Sequence, residues 1–275
     1  MKVSSIHIYP VKSLGGFRAN EWKLEARGLE HDRRWMLVDE SGFFLTQRTL
    51  PELCLLEAVI QGKSLVIRDR KKRQEDLILP VAAPSGEKLR EVQVWNDIVP
   101  ALFVGPEQVS AWFSTLFGRS IYLAYMPEQS ERPVDPQYAQ AGDMVSFADG
   151  YPVLIALEAS LEDLNARLAE PVGMERFRPN LVVEGGKPWE EDSWRAVAVG
   201  EAQFRTPKPC ARCKVITIDP ASAEVGVEPM RTLSTFHKQG NKTLFGMNAC
   251  WEKQSGHIVR VGDSVAVLKQ DIEDH

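Results

Sequence analysis

Cysteine is scarce in this chain: four among 275 residues, at Cys54, Cys210, Cys213 and Cys250. So few and so scattered, they exclude the dense disulfide framework of a small secreted domain. No apolar run approaches the roughly 18 residues needed to span a bilayer. Met1-Lys2-Val3 leads straight into a strand-like pattern, without the charged and apolar regions of a signal peptide. These absences point to a cytoplasmic, reducing setting with no membrane partner. There is no cationic surplus either. Lys and Arg number 33 against 38 Asp and Glu, a formal net charge of -5, which argues against bulk nucleic-acid binding. The one dense basic stretch, Arg68-Asp69-Arg70-Lys71-Lys72-Arg73, reads as a solvated hairpin tip. No internal repeat or low-complexity segment is visible.

What is present is an ordinary globular balance, 44% hydrophobic and 26% charged, enough for one large domain or two modest ones. In the first half, strand patterns occupy residues 3–9, 55–60, 64–67 and 91–95. Residues 35–38 and 43–46 read as a hairpin about Asp39-Glu40-Ser41-Gly42. Val109, Trp112, Phe113 and Leu116 share one face of a predicted helix over 107–117, which Gly118 stops. The polar, proline-bearing stretch 127–142 divides the chain and suggests two domains, 1–126 and 127–270. Beyond it, 151–157 reads as a buried strand, and Ser160 with Asp163 as a capping box opening a helix to residue 168. Further strands are expected at 180–184, 196–199, 202–205, 214–218 and 258–268, with a short helix at 229–237. Many strands and no βαβ rhythm predict a mainly β, barrel-like fold with a few helices.

The most chemical segment is Pro209-Cys210-Ala211-Arg212-Cys213-Lys214. The cations Lys208, Arg212 and Lys214 favour thiolate over thiol. Such a site suits a soft metal or a carried sulfur atom. Structural zinc wants four ligands, and the remaining cysteines and the five histidines are unpaired. A thioredoxin-like pair would open a helix, whereas a strand is expected to follow. The bland alternative is two packing cysteines. Other motifs stand at strand entrances: Lys12-Ser13, Asp32-Arg33 and Arg178-Pro179-Asn180. Lys12, Arg33 and Arg178 could converge on an anion, for which arginine offers a planar fork of donors. Singly, each also reads as a surface or ion-pair residue, and Asn180 as a turn cap.

Taken in order, Tyr9-Pro10-Val11-Lys12-Ser13-Leu14, Asp32-Arg33-Arg34-Trp35, Phe177-Arg178-Pro179-Asn180, Glu191-Asp192-Ser193-Trp194, Cys210-Ala211-Arg212-Cys213, Thr217-Ile218-Asp219-Pro220, Leu244-Phe245-Gly246 and Val261-Gly262-Asp263 closely resemble the MOSC family. Its fold is shared with the C-terminal domain of molybdenum-cofactor sulfurases. The chain looks most like the mitochondrial amidoxime-reducing components and their bacterial relatives, which reduce N-hydroxylated compounds. The resemblance implies an N-terminal β-rich domain, a MOSC β-barrel and a bound molybdenum cofactor (molybdopterin). It makes Cys213 the thiolate ligand of molybdenum, a metal that soft sulfur suits. It places Lys12, Ser13, Arg33, Arg178, Asn180 and Arg212 on the pterin and its phosphate. Cys210 has no family role and is expected to pack or support. Ala211 stands where a serine often occurs, and Gly150-Tyr151 where small hydroxyl residues do. With no cysteine beyond Cys250 and a short acidic tail after Leu268, electrons are expected from a separate donor protein rather than from an iron–sulfur cluster in this chain. The alternative is a sulfur-carrier or cofactor-binding module holding a persulfide on Cys213 without turnover. A purely structural module would require Lys12, Arg33 and Arg178 to lie far apart.

Overall fold

The computed structural model describes residues 1–252 and 256–271, so the last four residues of the acidic tail lie outside the described residues. Among the described residues, three α-helices accompany many strands, and the mainly β expectation holds. The largest sheet runs Val265–Gln270, Trp194–Val199, Ala202–Ala211, Lys242–Trp251, Val153–Leu157, Leu181–Glu184, Lys2–Ile8 and Phe17–Ala19, each strand bonded to the next. Its neighbours are antiparallel except Val153–Leu157 with Leu181–Glu184. A parallel pair needs a long crossover, and the helix Glu158–Asn165 lies within it.

The first strand belongs to this sheet because Val3, Ile6 and Ile8 are buried in one core with Ile155, Leu181, Trp194 and Phe204. Tyr9-Pro10 then carries the chain across a seam. Val11–Lys12 joins a second sheet, pairing parallel with Trp35–Val38. That sheet continues through Tyr122–Tyr125 and Asp97–Phe103 to Arg90–Val94. The helix Pro106–Phe117 seats Val109 and Phe113 in the neighbouring core, with Trp112 and Leu116 packed at its margin. A dozen residues therefore span two sheets, and the seam between them holds the candidate site.

Several local expectations are corrected. Residues 214–218 are not a strand but the one-turn 3-10 helix Lys214–Thr217. Thr217 Oγ1 donates to the Lys214 carbonyl at 2.8 Å, tightening the turn, and Ile216 and Thr217 go inward. The helix expected from Ser160 begins at Glu158 and ends at Asn165. Ser160 is no cap: its hydroxyl donates to Glu191 and accepts from the Trp189 amide. The hairpin expected over 35–38 and 43–46 does close, through Asp39 N to the Phe43 carbonyl, Leu45 N to the Leu37 carbonyl and an antiparallel Val38–Phe44 bridge, although 43–46 builds no full strand. The basic tip is organised on a buried anion: Asp69 accepts from the Lys71 and Arg73 amides and from the Arg73 guanidinium.

Glu191 sits beneath the Glu158–Asn165 helix with no exposed surface, accepting from Ser160 Oγ at 2.7 Å and Leu157 N at 3.2 Å. Burial pushes its pKa from 4.5 up to about 7, against the pull of those hydrogen bonds. The native state thus keeps a proton that the unfolded chain releases. Stability from this group is complete below pH 4.5 and lost as pH rises through the folded value, by about 3 kcal/mol. His237 acts in the same direction. Burial lowers its affinity for a proton, but the Asp192 carboxylate at 2.5 Å and the Leu244 carbonyl outweigh this and raise it. Glu191→Gln can keep the bond from Leu157 N on its amide oxygen, and should flatten the decline between pH 5 and 8. Chemical denaturation across that range tests this; an unchanged slope in the variant would refute it.

Candidate cofactor cleft

Tyr9 is the hub of the seam. Its amide donates to Asp32 Oδ1 at 2.9 Å, and its carbonyl accepts from the Arg33 amide at 2.8 Å. The Arg33 and Arg178 guanidinium carbons lie 4.4 and 4.3 Å from its ring centroid. Arg33 also donates to Asp32 Oδ2 at 2.5 Å and to the Arg178 carbonyl at 3.1 Å, while Arg178 donates to the Leu14 carbonyl at 2.7 Å. These contacts fix two cations side by side. Burial and then Arg33 bring Arg178 down to about 10, and burial raises Asp32 despite Arg33. His7, pushed down to about 4 by burial and by Arg18 and Arg33, stays neutral at pH 7.

Lys12 is buried, and its Nζ donates to the Phe147 carbonyl at 2.9 Å and to Asp149 Oδ1 at 2.5 Å. Burial lowers its pKa in spite of Asp149. Protein atoms hem Asp149 in and disfavour its charge, yet Lys12, Arg48 and Arg33 hold its carboxyl below the usual range. Its side chain is 70% accessible at the mouth of the cleft, so solvent moderates both influences. The Ser13 carbonyl accepts from Gln47 Nε2 at 2.6 Å. Asn180 stitches strands: its amide group donates to the His7 carbonyl at 3.2 Å, and its Oδ1 accepts from Leu154 N at 3.1 Å.

At the other wall, the strand Ala202–Ala211 delivers Cys210, and Cys213 precedes the 3-10 turn. Arg212 donates to the Phe177 carbonyl at 2.7 Å and to Cys210 Sγ at 2.9 Å, which gives Cys210 a supporting contact. Cys213 is half-buried and has no disulfide. Lys12, Ser13, Arg33, Arg178, Asn180, Arg212 and Cys213 all line one cleft. The separation of Lys12, Arg33 and Arg178 that a purely structural module would require is not found.

Backbone conformation marks the same place. Ser13, Arg33 and Arg178 have φ of 72°, 50° and 55°, the left-handed region that side chains avoid. Each costs about 1–3 kcal/mol, and such strain clusters at binding sites. Asp149, Gln47, Arg48 and Tyr9 are site residues that pattern reasoning did not pick out. Only Tyr9, flanked by a proline, stood inside a recognisable motif.

The cleft offers polar groups in search of a ligand. Tyr9 Oη, Tyr151 Oη and Arg212 Nε are buried without a hydrogen-bond partner, an arrangement that is unfavourable unless something fills it. Arg178 also lines a second chamber, of about 450 Å³, to which Tyr9 belongs. A Cβ added at Gly150 would meet nothing within 4 Å, so the place of a small hydroxyl side chain is open. No group of three or more His, Cys, Asp or Glu side chains able to hold a metal occurs among the described residues. A metal at Cys213 would therefore draw its other donors from outside the chain. No helix among those residues is long and apolar enough to cross a membrane.

Comparison with known proteins gives the cleft a lineage. The chain is 31% identical over 289 residues to the molybdenum cofactor sulfurase of Solanum lycopersicum, covering 96% of this chain but 35% of that protein. It therefore spans about a third of the sulfurase's length. It is 30% identical over 288 residues to mitochondrial amidoxime-reducing component 1 of Mus musculus, covering 98% of this chain and 82% of that one. The Xenopus laevis counterpart is 31% identical over 282 residues, with coverages of 96% and 81%. Residues 1–120 match the MOSC N-terminal beta barrel domain and residues 142–266 the MOSC domain, so the chain belongs to the MOSC family.

Proposed function

We propose that this protein binds the molybdenum cofactor through Cys213 and reduces N-hydroxylated compounds, with electrons from a separate donor protein. One observation carries the reading: seven residues from distant parts of the chain line a single cleft whose buried polar atoms lack partners. The likeness to amidoxime-reducing components runs over 98% of this chain, which supports the reductase reading. The donor set fits the cofactor. Cys213 offers one soft thiolate, and Lys12, Arg33, Arg178 and Arg212 offer charge-assisted hydrogen bonds to an anionic tail. When bound, the cofactor supplies two-electron redox chemistry at molybdenum.

The chain supplies the rest. Tyr9 and Asp32 hold Arg33 and Arg178 in place before a ligand arrives, so little ordering is left for binding. Lys12 Nζ holds a proton against Asp149 at the mouth, and burial makes that proton easier to release. The test is protein made in a host that synthesises the cofactor. Near-stoichiometric molybdenum is expected, together with reduction of benzamidoxime by a chemically reduced dye. Molybdenum without reduction would leave a cofactor-binding module; labile sulfur on Cys213 without molybdenum would establish the carrier.

A further inference from the structure

The cations that would hold the cofactor's tail are each positioned by a protein hydrogen bond and keep donors to spare, whereas one further cation of the cleft has no such bond. Lys12 is taken by Asp149 and Phe147, Arg33 by Asp32, and Arg132 by Asp97 and the Ser146 and Ala148 carbonyls. Arg178 and Arg212 donate to the Leu14 and Phe177 carbonyls. Among the described residues, Arg48 alone of these has neither an ion pair nor a hydrogen bond from its guanidinium. It feels Asp149 at longer range, but that carboxylate is already engaged by Lys12. Arg48 lines both the inner cleft and its outer mouth, and so does Cys213.

What orders this unpaired side chain is Trp95. The Arg48 guanidinium lies 3.9 Å from the indole centroid. Trp95 in turn is held by Phe44 at 5.1 Å and by Gln93, whose side chain donates to its carbonyl at 2.9 Å. Trp95 occupies the first position of the two-residue loop joining Arg90–Val94 to Asp97–Phe103, with φ of 57°. A left-handed conformation there favours glycine, and a tryptophan is strained. The loop places an indole where none is needed for the turn; the indole donates to Asp149 Oδ1 at 3.4 Å and carries the guanidinium on its face beside the mouth. A stacked guanidinium is pre-oriented, so it loses less freedom on pairing with an oxyanion.

We propose that Arg48, laid on Trp95, is a substrate-anchoring residue that pairs with an oxyanion, such as a carboxylate, carried by the substrate of the Cys213 cleft. The inference rests on the reductase reading and narrows its substrates to N-hydroxylated compounds bearing an anionic substituent. Trp95 is the positioning residue. Binding by calorimetry of two amidine products, 4-amidinobenzoate and its uncharged isostere 4-amidinobenzamide, to the molybdenum-loaded protein tests it without relying on turnover.

The wild type should bind the carboxylate at least about tenfold more tightly, as a charge-assisted pair implies. Arg48→Gln should bring the two affinities together, and Arg48→Lys should keep part of the preference. Trp95→Leu should reduce it with no change of charge. Equal affinities in the wild type, or an undiminished preference in Arg48→Gln, would overturn the assignment. So would loss of molybdenum from Arg48→Gln, since Arg48 would then serve the cofactor. Should the wild type show the preference yet reduce neither hydroxylated parent, the anion anchor stands and the reductase reading fails.

Discussion

Cys213→Ala should lose its molybdenum and its turnover while melting like the cofactor-free wild type. The side chain is half-buried, and it precedes the Lys214–Thr217 turn with extended backbone, φ -116° and ψ 177°, and no capping bond. Alanine tolerates that conformation, so the stability change should stay within about 0.5 kcal/mol. The metal has no such tolerance. No other cluster of His, Cys, Asp or Glu among the described residues could take it over, so retention should fall at least about hundredfold. Elemental analysis beside a thermal melt separates the two effects. Cys210→Ala is the control: it removes the sulfur that accepts from Arg212 but leaves Cys213 in place, and it should keep most of the metal. Molybdenum retained by Cys213→Ala would remove the ligand assignment outright.

Asn180→Ala should do the reverse, harming the fold first. Asn180 is 2% exposed, and its side chain serves the His7 carbonyl and the Leu154 amide. Alanine leaves both groups buried without a partner, at about 1–3 kcal/mol each. The expected loss is about 2–5 kcal/mol, a melting point lower by roughly 5–15 °C in a chain of this size. A variant that melts normally yet no longer holds molybdenum would make Asn180 a ligand contact instead of a stitch.

Both residues stood in motifs that the sequence displays, but the reason for each lies in the folding. The helix Pro106–Phe117 and the pair Leu56–Gln61 and Ser64–Asp69 were readable because local pattern governs them. Lys242–Trp251 was not. It is buried along most of its length, so no two-residue alternation shows, and Gly246 at φ 72° interrupts it. The strand expected over 202–205 runs on to Ala211, through Pro207 and Pro209. They are accommodated where its pairing with Lys242–Trp251 slips register, between Arg205 and Lys208 and between Pro209 and Ala211. In the cleft, the cations at strand entrances were visible in sequence. Arg48, Trp95 and Asp149 were not, since each comes from a connection whose position only the assembled sheets define.

The seam that Tyr9-Pro10 crosses also dictates an order of assembly. Lys2 pairs with Glu184 and Ile6 with Leu181, while Lys12 pairs with Met36. During synthesis the first strand can pair early with Phe17–Ala19, but its other partner, Leu181–Glu184, and most of the core it shares emerge over 100 residues later. Contacts so distant in sequence slow folding. A break within 127–142 would also leave the Leu181–Glu184 edge bare, an invitation to pairing with other chains. The nascent chain is thus most prone to aggregate after its second sheet forms and before its first strand finds its place.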